Sequence, residues 1–591
     1  MCGIAGFWTN EVVNAADIDS MSAAISHRGP DDSGVWSDGH GLIMAHRRLS
    51  IIDLSHAGHQ PMESQCNRYI LTYNGEIYNH KDIRGKIDKL KLGIKWRGQS
   101  DTETLLVALS CWGIEKTLKI INGMFSFALF DRKNKTLSLA RDHLGQKPLY
   151  YGHNNNTFLF GSELKAIKAY SSFSGEIDRE SLSLQMKYSY IPAPRTIYKG
   201  IKKLLPGTFL VISLPDIHKE LIPKAYWSFL DVAQSGINNK FIGNEKKIIT
   251  RLDDLLGNSI RNQLISDVPL GAFLSGGIDS STVVALMQKY SNLPVKTFSI
   301  GFDKKNQNEA VYAKKIANYL GTEHTELYIT TEDILNTIPL LPDLYDEPVS
   351  DSSQIPTFLV SKMAKKHVKV ALSGDGADEL FGGYKRHFNT HKWWGSIQKI
   401  PKWARIPISK GLGSVPPYLW DFASMGQYEG LKDTMYKLSK VMSANDTLSL
   451  YNQFISIWDD SNLVVIKDNG ENKIDDSFVK FGLEVEKIMI MDTLNYLPGD
   501  ILTKVDRAAM GVSLETRIPF LDHKVVEFAW RVPMSMKIRN GNSKWILREV
   551  LGQYVPKEMF NRPKKGFGVP LGDWLRTDLR ESYPRPFVHH D

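Results

Sequence analysis

The pattern of apolar residues changes once along this chain, and that change limits what the chain can fold into. Over residues 1–214, short β-rich runs are separated by turn signals such as the Asn-rich stretch 153–156. This pattern predicts antiparallel sheets with a few helices. After about residue 245, apolar β runs alternate with amphipathic helices. Such alternation is typical of a parallel sheet flanked by helices, so the chain needs more than one core.

The length supports the same division. At about 100–200 residues per domain, 591 residues predict two or three domains. Residues 215–245 lose periodicity and include Pro215 and Pro223, which predicts a linker between a domain at 1–214 and a domain at 246–591. An acidic first turn and helical spacing predict a helix over 101–112, and the chain is mostly helical from about Tyr384.

Composition excludes several classes of protein. Lys plus Arg is 73 and Asp plus Glu is 65, a small excess of positive charge for so long a chain. The resulting electrostatic field is too weak to predict a nucleic-acid partner, although it suits anionic substrates. Three scattered cysteines are too few for a disulfide framework or a four-ligand zinc site, which predicts a reducing, cytoplasmic setting. No apolar run reaches the roughly 18–20 residues of a membrane span, and no leader is expected before the mature chain, apart from Met1.

Cys2 is a candidate nucleophile. Removal of Met1 would expose its thiol and its α-amino group together, and an α-amine with a pKa of about 7.7–8.0 can accept the thiol proton. The alternative is an incidental cysteine near a terminus.

The segment YNGEIYN at 73–79 provides candidate groups for polarising a carbonyl. The amide of Asn74 and the backbone N–H of Gly75 could form an oxyanion hole, although Asn-Gly is also a strong hairpin signal and the two readings are compatible. Arg48 can bind a carboxylate through two parallel hydrogen bonds, while Glu76 and Asp101 could hold an ammonium group. Together these residues would recognise both ends of an amino acid.

Several segments resemble the glutaminase half of the asparagine synthetases: CGI at 2–4, HRGPD at 27–31, RLSIID at 48–53, NGEIYNH at 74–80, SDTE at 100–103 and RDHLGQKPLYY at 141–151. The resemblance implies an N-terminal-nucleophile fold, a four-layer α/β/β/α sandwich in which Cys2 forms a thioester with glutamine and releases ammonia. It implies glutamine binding by Arg48, Leu49, Ser50, Ile51, Ile52, Asn74, Gly75, Glu76 and Asp101.

SGGIDSS at 275–281 follows an apolar run and precedes a predicted helix. Glycines let the backbone approach a polyphosphate, and successive N–H groups at a helix start bind anions. The alternative is an ordinary Gly-Gly turn. The segment has neither the Walker ending nor a G-x-G-x-x-G spacing. Asp279 is a candidate Mg²⁺ ligand, and Asp378 in the glycine-rich segment SGDGADELFGGY at 373–384 is the second.

SGGIDSS resembles the pyrophosphate loop of enzymes that cleave ATP to AMP and pyrophosphate. Three further segments resemble the synthetase half of the same family: DEPVSDSSQIPT at 346–357, LTKVDRAAMGVSLETRIPFLD at 502–522 and KWILRE at 544–549. The resemblance implies an α/β ATP-pyrophosphatase domain with helical additions. It also implies that Lys544 stabilises charge on the reacting phosphoryl group, and the alternative is an exposed lysine on a helix. It implies ATP contacts from Leu274, Ser275, Gly276, Gly277, Asp279, Ser280, Ser281, Ile300, Ser373 and Gly374.

The predicted function is that of a glutamine-hydrolysing asparagine synthetase using ATP and Mg²⁺, with channelled ammonia and, by resemblance, a homodimeric assembly. Two departures leave alternatives open. Asp375 stands where many relatives have Glu, at a position tied to forming the aspartyl-adenylate, and the chain stops soon after DWLR at 573–576. The alternatives are the same chemistry on another carboxylate, such as a sugar uronic acid, or a non-catalytic sensor of glutamine or nucleotide.

Overall fold

This computed structural model describes residues 1–213, 219–302, 309–416, 431–458 and 480–562, together with Leu419 and Val465. The first two sheets are antiparallel and six-stranded, in the orders β10-β8-β9-β1-β3-β2 and β12-β11-β7-β6-β5-β4. Their strands are β1 (Gly3–Thr9), β2 (Asp32–Ser37), β3 (Leu42–Arg48), β4 (Met62–Glu63), β5 (Tyr69–Ile77), β6 (Gly123–Asp131), β7 (Thr136–Arg141), β8 (Tyr150–Asn154), β9 (Thr157–Gly161), β10 (Ile201–Lys203), β11 (Thr208–Ser213) and β12 (Lys224–Ala225).

The two antiparallel sheets stack face to face between two layers of helices. Alternation along β1 directs Ile4 and Trp8 into the core between the sheets, and Ala5 and Phe7 to the outer face. The helices are α1 (Ala15–Ala24), α2 (His80–Asp88), α3 (Asp101–Trp112), α4 (Ile114–Ile120), α5 (Leu164–Lys168), α6 (Arg179–Tyr188) and α7 (Phe229–Asn238). α1 and α5 cover one sheet, while α2, α3 and α4 cover the other. The predicted α/β/β/α sandwich is confirmed.

In this half of the chain, the predicted helix and the predicted turn are present, but a third local signal is not a turn. The helix predicted over 101–112 is α3, whose first turn is capped by Ser100 accepting a hydrogen bond from the N–H of Glu103 at 3.2 Å. The turn at 153–156 joins β8 to β9, with Asn155 at φ 52°. Asn74 and Gly75, in contrast, lie inside β5, so the hairpin reading of that dipeptide is wrong.

The third sheet is parallel, as the alternating pattern predicts, in the order β15-β14-β13-β16-β17. Its strands are β13 (Leu270–Phe273), β14 (Lys296–Phe302), β15 (Glu323–Ile329), β16 (Val370–Leu372) and β17 (Glu515–Arg517). The apolar runs predict the central strands β13, β14 and β16, whereas the outer strands β15 and β17 were not predicted.

Helices cover both faces of the parallel sheet. The labelled helices are α8 (Glu245–Gln263), α9 (Ile278–Tyr290), α10 (Ala310–Leu320), α11 (Thr331–Thr337), α12 (Leu341–Tyr345), α13 (Gln354–Lys365), α14 (Ala377–Phe381), α15 (Lys385–Asn389), α16 (Gly395–Ile397) and α17 (Lys402–Ser414). Later helices span Leu431–Ser443, Thr447–Ile455, Glu484–Met491, Leu502–Met510, His523–Arg531, Met534–Lys537, Trp545–Leu551 and Lys557–Phe560. α8, α9 and α10 pack on one face, and α13 with Leu502–Met510 packs on the other.

The segment predicted as a linker, 215–245, contains regular structure. β12 pairs with β11 in the second antiparallel sheet, and α7 packs against the helix His523–Arg531, where the rings of Phe229 and Trp530 meet edge to face at 5.5 Å. This segment therefore joins the two halves by packing, and its residues 215–218 lie outside the described chain. The limits 1–214, 215–245 and 246–591 stay a prediction.

Buried ion pairs connect the two halves. Arg28 binds Asp506 at 2.8 Å and Glu163 at 2.6 Å, and Arg507 binds Glu163 at 2.8 Å. The helix Leu502–Met510 that carries Asp506 and Arg507 continues from a π-helix at Asp492–Ile501, a feature often found at functional sites. Within the described part of the chain, no helix combines the length and the apolar character needed to cross a bilayer.

Candidate active sites

Cys2 lies immediately before β1 and is 8% exposed. Its backbone N–H donates to Oδ1 of Asn74 at 2.9 Å, and its carbonyl accepts from Nε of Arg28 at 3.0 Å. The thiol lies 4.0 Å from the carbonyl oxygen of Leu49. Burial raises the pKa of the Cys2 thiol, an effect that the neighbouring N-terminal ammonium only partly offsets. The thiol is therefore neutral at pH 7 and needs a base before it can act as a nucleophile.

The side-chain amide of Asn74 uses its oxygen but not its nitrogen for hydrogen bonds within the described part of the chain. Its Oδ1 is occupied by Cys2, while its buried Nδ2 has no hydrogen-bond partner among the described residues. A buried, unpaired donor is costly unless a ligand pairs with it. At Gly75, a Cβ would lie 2.2 Å from the carbonyl oxygen of Met124, so only glycine fits at this position. The arrangement suits a site that receives a carbonyl oxygen.

Arg48 ends β3, and its guanidinium donates to the carbonyl of Ser55 at 2.9 Å and to that of Asp53. It packs on Gly58, where a Cβ would lie 2.0 Å from Nη2. A guanidinium has five N–H donors, so others remain for a carboxylate.

Two buried acids lie beside the thiol. Asp101 accepts hydrogen bonds from the hydroxyl of Tyr73 and the N–H of Ile77, both at 2.8 Å. Burial raises the pKa of Asp101, and burial followed by the charges of Asp101 and Glu515 raises that of Glu76. Two acids that resist ionising together favour a cation between them, which agrees with the predicted ammonium site.

These groups surround a narrow cavity of about 20 Å³. It is lined by Met1, Cys2, Arg48, Leu49, Ile51, Ile52, Gly58, Gln60, Tyr73, Gly75, Glu76, Ser100, Asp101 and Thr102. Of the predicted glutamine ligands, Asn74 reaches the site through its bond to Cys2, whereas Ser50 is not part of the lining. The Ser50 N–H donates instead to Asp31 at 2.8 Å.

Glu515 contacts this site through Met1, without lining the cavity, and sequence reasoning missed it. Its carboxylate binds the ammonium of Met1 at 2.8 Å and Nε of Arg517 at 2.7 Å. Burial alone would raise the pKa of Glu515, but the ammonium and Arg517 bring it down to about 2. Because Glu515 belongs to β17 of the parallel sheet, nothing local in the sequence relates it to the N-terminus.

The second site is a cleft of about 520 Å³ beyond the carboxyl ends of β13, β14 and β16. The loop between β13 and α9 needs glycine at Gly276, which has φ 72° and where a Cβ would lie 2.8 Å from the backbone N of Ala313. The predicted ATP residues that line the cleft are Leu274, Ser275, Gly276, Gly277, Asp279, Ser280, Ile300, Ser373 and Gly374. The remaining one, Ser281, is fully buried in α9 and does not line the cleft.

Lys544 joins the two predicted metal ligands. Its Nζ lies 2.5 Å from Oδ2 of Asp279 and 2.7 Å from Oδ1 of Asp378. Burial alone would lower the pKa of Lys544, but these carboxylates raise it. The side chain is 3% exposed, so the alternative of an exposed helix lysine is wrong. Two carboxylates that converge on one positive charge also fit Mg²⁺, which takes oxygen ligands.

The cleft also holds acids with raised pKa values. Burial raises the pKa of Asp375, whose Oδ2 accepts from the hydroxyl of Ser373 at 2.5 Å. Burial and the charge of Asp378 raise the pKa of Glu379 to about 7. The hydroxyl of Tyr384 donates to Glu379 at 2.6 Å.

A further group in the cleft was not predicted. Nζ of Lys504 donates to Asp351 at 2.6 Å and to the hydroxyl of Ser353 at 2.7 Å. Both partners lie in the segment at 346–357 and Lys504 lies in the segment at 502–522, and both segments carry the family resemblance. No local pattern, however, distinguishes Lys504 within its segment. Residues 563–591, which include the segment DWLR at 573–576, lie outside the described chain.

A thiol next to the N-terminus beside a pocket that suits a carbonyl oxygen, and a glycine loop beside paired carboxylates, are the features expected of one class: glutamine-dependent amidotransferases that activate their acceptor with ATP. Comparisons with known proteins agree with this class. The family model described as glutamine amidotransferase domain matches residues 1–227, and the one described as asparagine synthase matches residues 251–585. The chain belongs to the asparagine synthase family.

Curated relatives cover nearly the whole chain. Asparagine synthetase [glutamine-hydrolyzing] 1 of Bacillus subtilis is 33% identical over all of this chain and 92% of its own length. Putative asparagine synthetase [glutamine-hydrolyzing] 2 of Methanocaldococcus jannaschii is 35% identical over 86% of this chain and 98% of its own length. A putative asparagine synthetase [glutamine-hydrolyzing] of Mycobacterium tuberculosis is 33% identical over 98% of this chain and 89% of its own length.

Proposed function

We propose that this chain is a glutamine-hydrolysing asparagine synthetase, which converts ATP, aspartate, glutamine and water into asparagine, glutamate, AMP and diphosphate. The observation that carries the proposal is the presence of two chemically different sites in one chain. One has a buried thiol beside an unpaired amide donor, and the other has a lysine between two carboxylates in a large cleft. Relatives named for this activity cover 100% and 86% of this chain.

At the first site, the Cys2 sulfur attacks the side-chain amide carbon of glutamine, and Nδ2 of Asn74 with the N–H of Gly75 donates to the developing oxyanion. The α-amine of Cys2, freed by removal of Met1, takes the thiol proton and passes it to the leaving ammonia. Water then hydrolyses the thioester to glutamate. Arg48 binds the α-carboxylate of glutamine, and Glu76 with Asp101 binds its α-ammonium group.

At the second site, a carboxylate oxygen of aspartate attacks the α-phosphorus of ATP and diphosphate leaves. The glycine loop 275–277 binds the phosphates, and Lys544 stabilises their charge. Asp279 and Asp378 would hold Mg²⁺, which neutralises phosphate charge when bound. Asp375 contributes to forming the adenylate from the loop after β16. Ammonia then attacks the carbonyl carbon of the adenylate, AMP leaves, and asparagine forms.

Ammonia must pass between the sites without being protonated in bulk water, since ammonium is not a nucleophile. The helix Leu502–Met510 supports an internal route because it touches both halves. Lys504 lines the cleft, while Asp506 and Arg507 bind Arg28 and Glu163 of the first half inside a buried interface. The division into domains at 1–214 and 246–591, the homodimeric assembly and the cytoplasmic location are part of the same proposal.

The test is diphosphate release by the purified chain with ATP, Mg²⁺ and glutamine, with and without aspartate. We expect aspartate-dependent release, with asparagine formed in equal amount. An active glutaminase that releases no diphosphate in response to aspartate would contradict the proposed acceptor and direct the search to other carboxylates.

A further inference from the structure

Two histidines of the loop between β3 and β4 lie next to an acid of β2. Asp32, His56 and His59 each offer one ligand atom, and these atoms all lie within 4.8 Å of one another. Oδ2 of Asp32 lies 2.8 Å from Nδ1 of His59, and the rings of His56 and His59 stack with centroids 4.9 Å apart. Among the described residues, no other group of three such side chains comes together in this way.

Two imidazoles and a carboxylate are ligands that borderline dications such as Zn²⁺ prefer, at about 2.0–2.2 Å in a tetrahedral arrangement. Ligand atoms of such a site lie about 3.4 Å apart. The Asp32–His59 pair, at 2.8 Å, must open slightly, while no pair has to close in by more than about 1.4 Å from the 4.8 Å limit, with the stacked rings turning so that their nitrogens face one ion. Asp32 and His59 keep 28% and 34% of their side chains exposed, and His56 is exposed, so an ion can enter from solvent. Water would complete the fourth position.

We propose that Asp32, His56 and His59 form a binding site for one Zn²⁺-like dication that joins the loop 53–60 to β2. This loop holds Arg48, whose guanidinium donates to the carbonyls of Asp53 and Ser55 and packs on Gly58. His56 and His59 flank Gly58 in the chain. An ion bound by both histidines therefore restricts the backbone that positions Arg48. The positive charge of the Arg48 guanidinium, which contacts Gly58 and the carbonyls of Asp53 and Ser55, opposes a cation bound to this loop.

The direct test is equilibrium dialysis of the full chain against Zn²⁺ at neutral pH, with excess Mg²⁺ to occupy oxygen-ligand sites. His589 and His590 of the tail are changed to Asn in every sample, because adjacent histidines can bind Zn²⁺ by themselves. We expect one Zn²⁺ per chain, with affinity reduced about tenfold or more in His56→Asn and in His59→Asn. His40→Asn, at another exposed histidine, is the matched control and is expected to bind like the parent.

Absence of binding, or equal binding by the parent and both loop variants, would overturn the site. His56→Asn guards against a folding artefact because His56 is exposed, and its thermal midpoint without Zn²⁺ should equal that of the parent. Loss of Zn²⁺ binding with an unchanged midpoint supports direct ligation.

The effect on the loop is tested separately. Zn²⁺ is expected to slow hydrogen exchange of residues 53–60 in the parent and not in His56→Asn, and unchanged exchange with the ion bound would overturn the stiffening. The consequence for glutamine rests on the proposed function, because it assumes that Arg48 binds glutamine. If Arg48 binds glutamine, Zn²⁺ is expected to lower the KM for glutamine hydrolysis in the parent but not in His56→Asn. An unchanged KM would reject the link between Zn²⁺ binding and glutamine binding, but not the metal site itself.

Discussion

The two sites differ in how the fold builds them. The thiol site takes its groups from the antiparallel strands β3 and β5 and from the first turn of α3, and its cavity is about 20 Å³. The ATP-type cleft takes its groups from loops beyond the ends of parallel strands and measures about 520 Å³. In the sandwich, the register of the paired strands fixes which side chains are neighbours, so the cavity between them is narrow. Loops beyond the carboxyl ends of parallel strands leave a wider cleft, with room for a nucleotide and a second substrate.

The sites also differ in charge. Glu76 and Asp101 resist ionising together, and an incoming ammonium group would relieve them. Asp279 and Asp378 already share the charge of Lys544. Under the proposed function, the first site would bind the cationic end of glutamine, and the second would bind polyphosphate with a metal ion. Variants that affect only one site test this difference.

The largest expected effect comes from Cys2→Ala. It removes the attacking sulfur, so glutamine-dependent amidation is expected to be lost, while amidation with free ammonium continues because the cleft is unchanged. Asparagine formation from each nitrogen source measures the difference. Cys66→Ala, at an exposed cysteine outside both sites, is the control and should keep both activities. Equal loss of both activities in Cys2→Ala would show that the sites are not separate.

Asp279→Asn should give the reverse result. Removing one of the two carboxylates that Lys544 joins is expected to slow diphosphate release by about 10³-fold, which corresponds to about 4 kcal/mol of barrier. Glutamine hydrolysis should continue. Asp254→Asn, at an exposed aspartate of α8, is the matched control. Undiminished diphosphate release would reject Asp279 as a metal and phosphate ligand.

Asn74→Asp separates the two hydrogen-bonding roles of Asn74. The carboxylate can still accept from the N–H of Cys2 but lacks the Nδ2 donor, so kcat for glutamine hydrolysis is expected to fall by about 10²-fold, the typical loss for one oxyanion donor. Asn74→Ala, which removes both roles, should be at least as slow. Steady-state kinetics of both variants provide the measurement, and full kcat in Asn74→Asp would contradict the oxyanion role.

Glu379→Gln tests the cleft through pH. In the folded chain the pKa of Glu379 is raised to about 7, so its carboxyl group stays protonated up to about pH 7. In the unfolded chain the same group loses its proton above about pH 4.5. The native state therefore binds more protons in this window, and stability falls as pH rises from about 4.5 to about 7. Glutamine mimics the protonated acid, so the variant is expected to be more stable than the parent by about 1–3 kcal/mol at pH 8 and equal to it near pH 4.5.

Urea unfolding at the two pH values measures this effect. A variant equally stable or less stable than the parent at pH 8 would contradict the raised pKa. The thiol site offers an internal comparison, because Glu379→Gln should leave glutamine hydrolysis unchanged.

Sequence reasoning succeeded where a residue's neighbours are near it in the chain. The glycine loop and helix start at 275–281, the helix α3 and the strands β13, β14 and β16 all follow from local patterns of glycine and apolar residues, and the structure confirms those elements. Two predicted contact residues do not line the cavities: Ser50 lies outside the lining of the thiol cavity, and Ser281 is buried in α9. Their predicted contacts with glutamine and ATP stay predictions.

The sequence by itself determined the two patterns of sheet, the candidate nucleophile and the glycine loop, because each depends on residues adjacent in the chain. Only the tertiary structure decided that β17 lies at the edge of the parallel sheet, so that Glu515 reaches Met1 and Arg517 lies near Glu76. It likewise decided that Lys544 meets Asp279 and Asp378, and that Lys504 meets Asp351. The residues of each pair are far apart in sequence, so no local signal relates them. They pair because a buried charge is costly unless an opposite charge lies next to it.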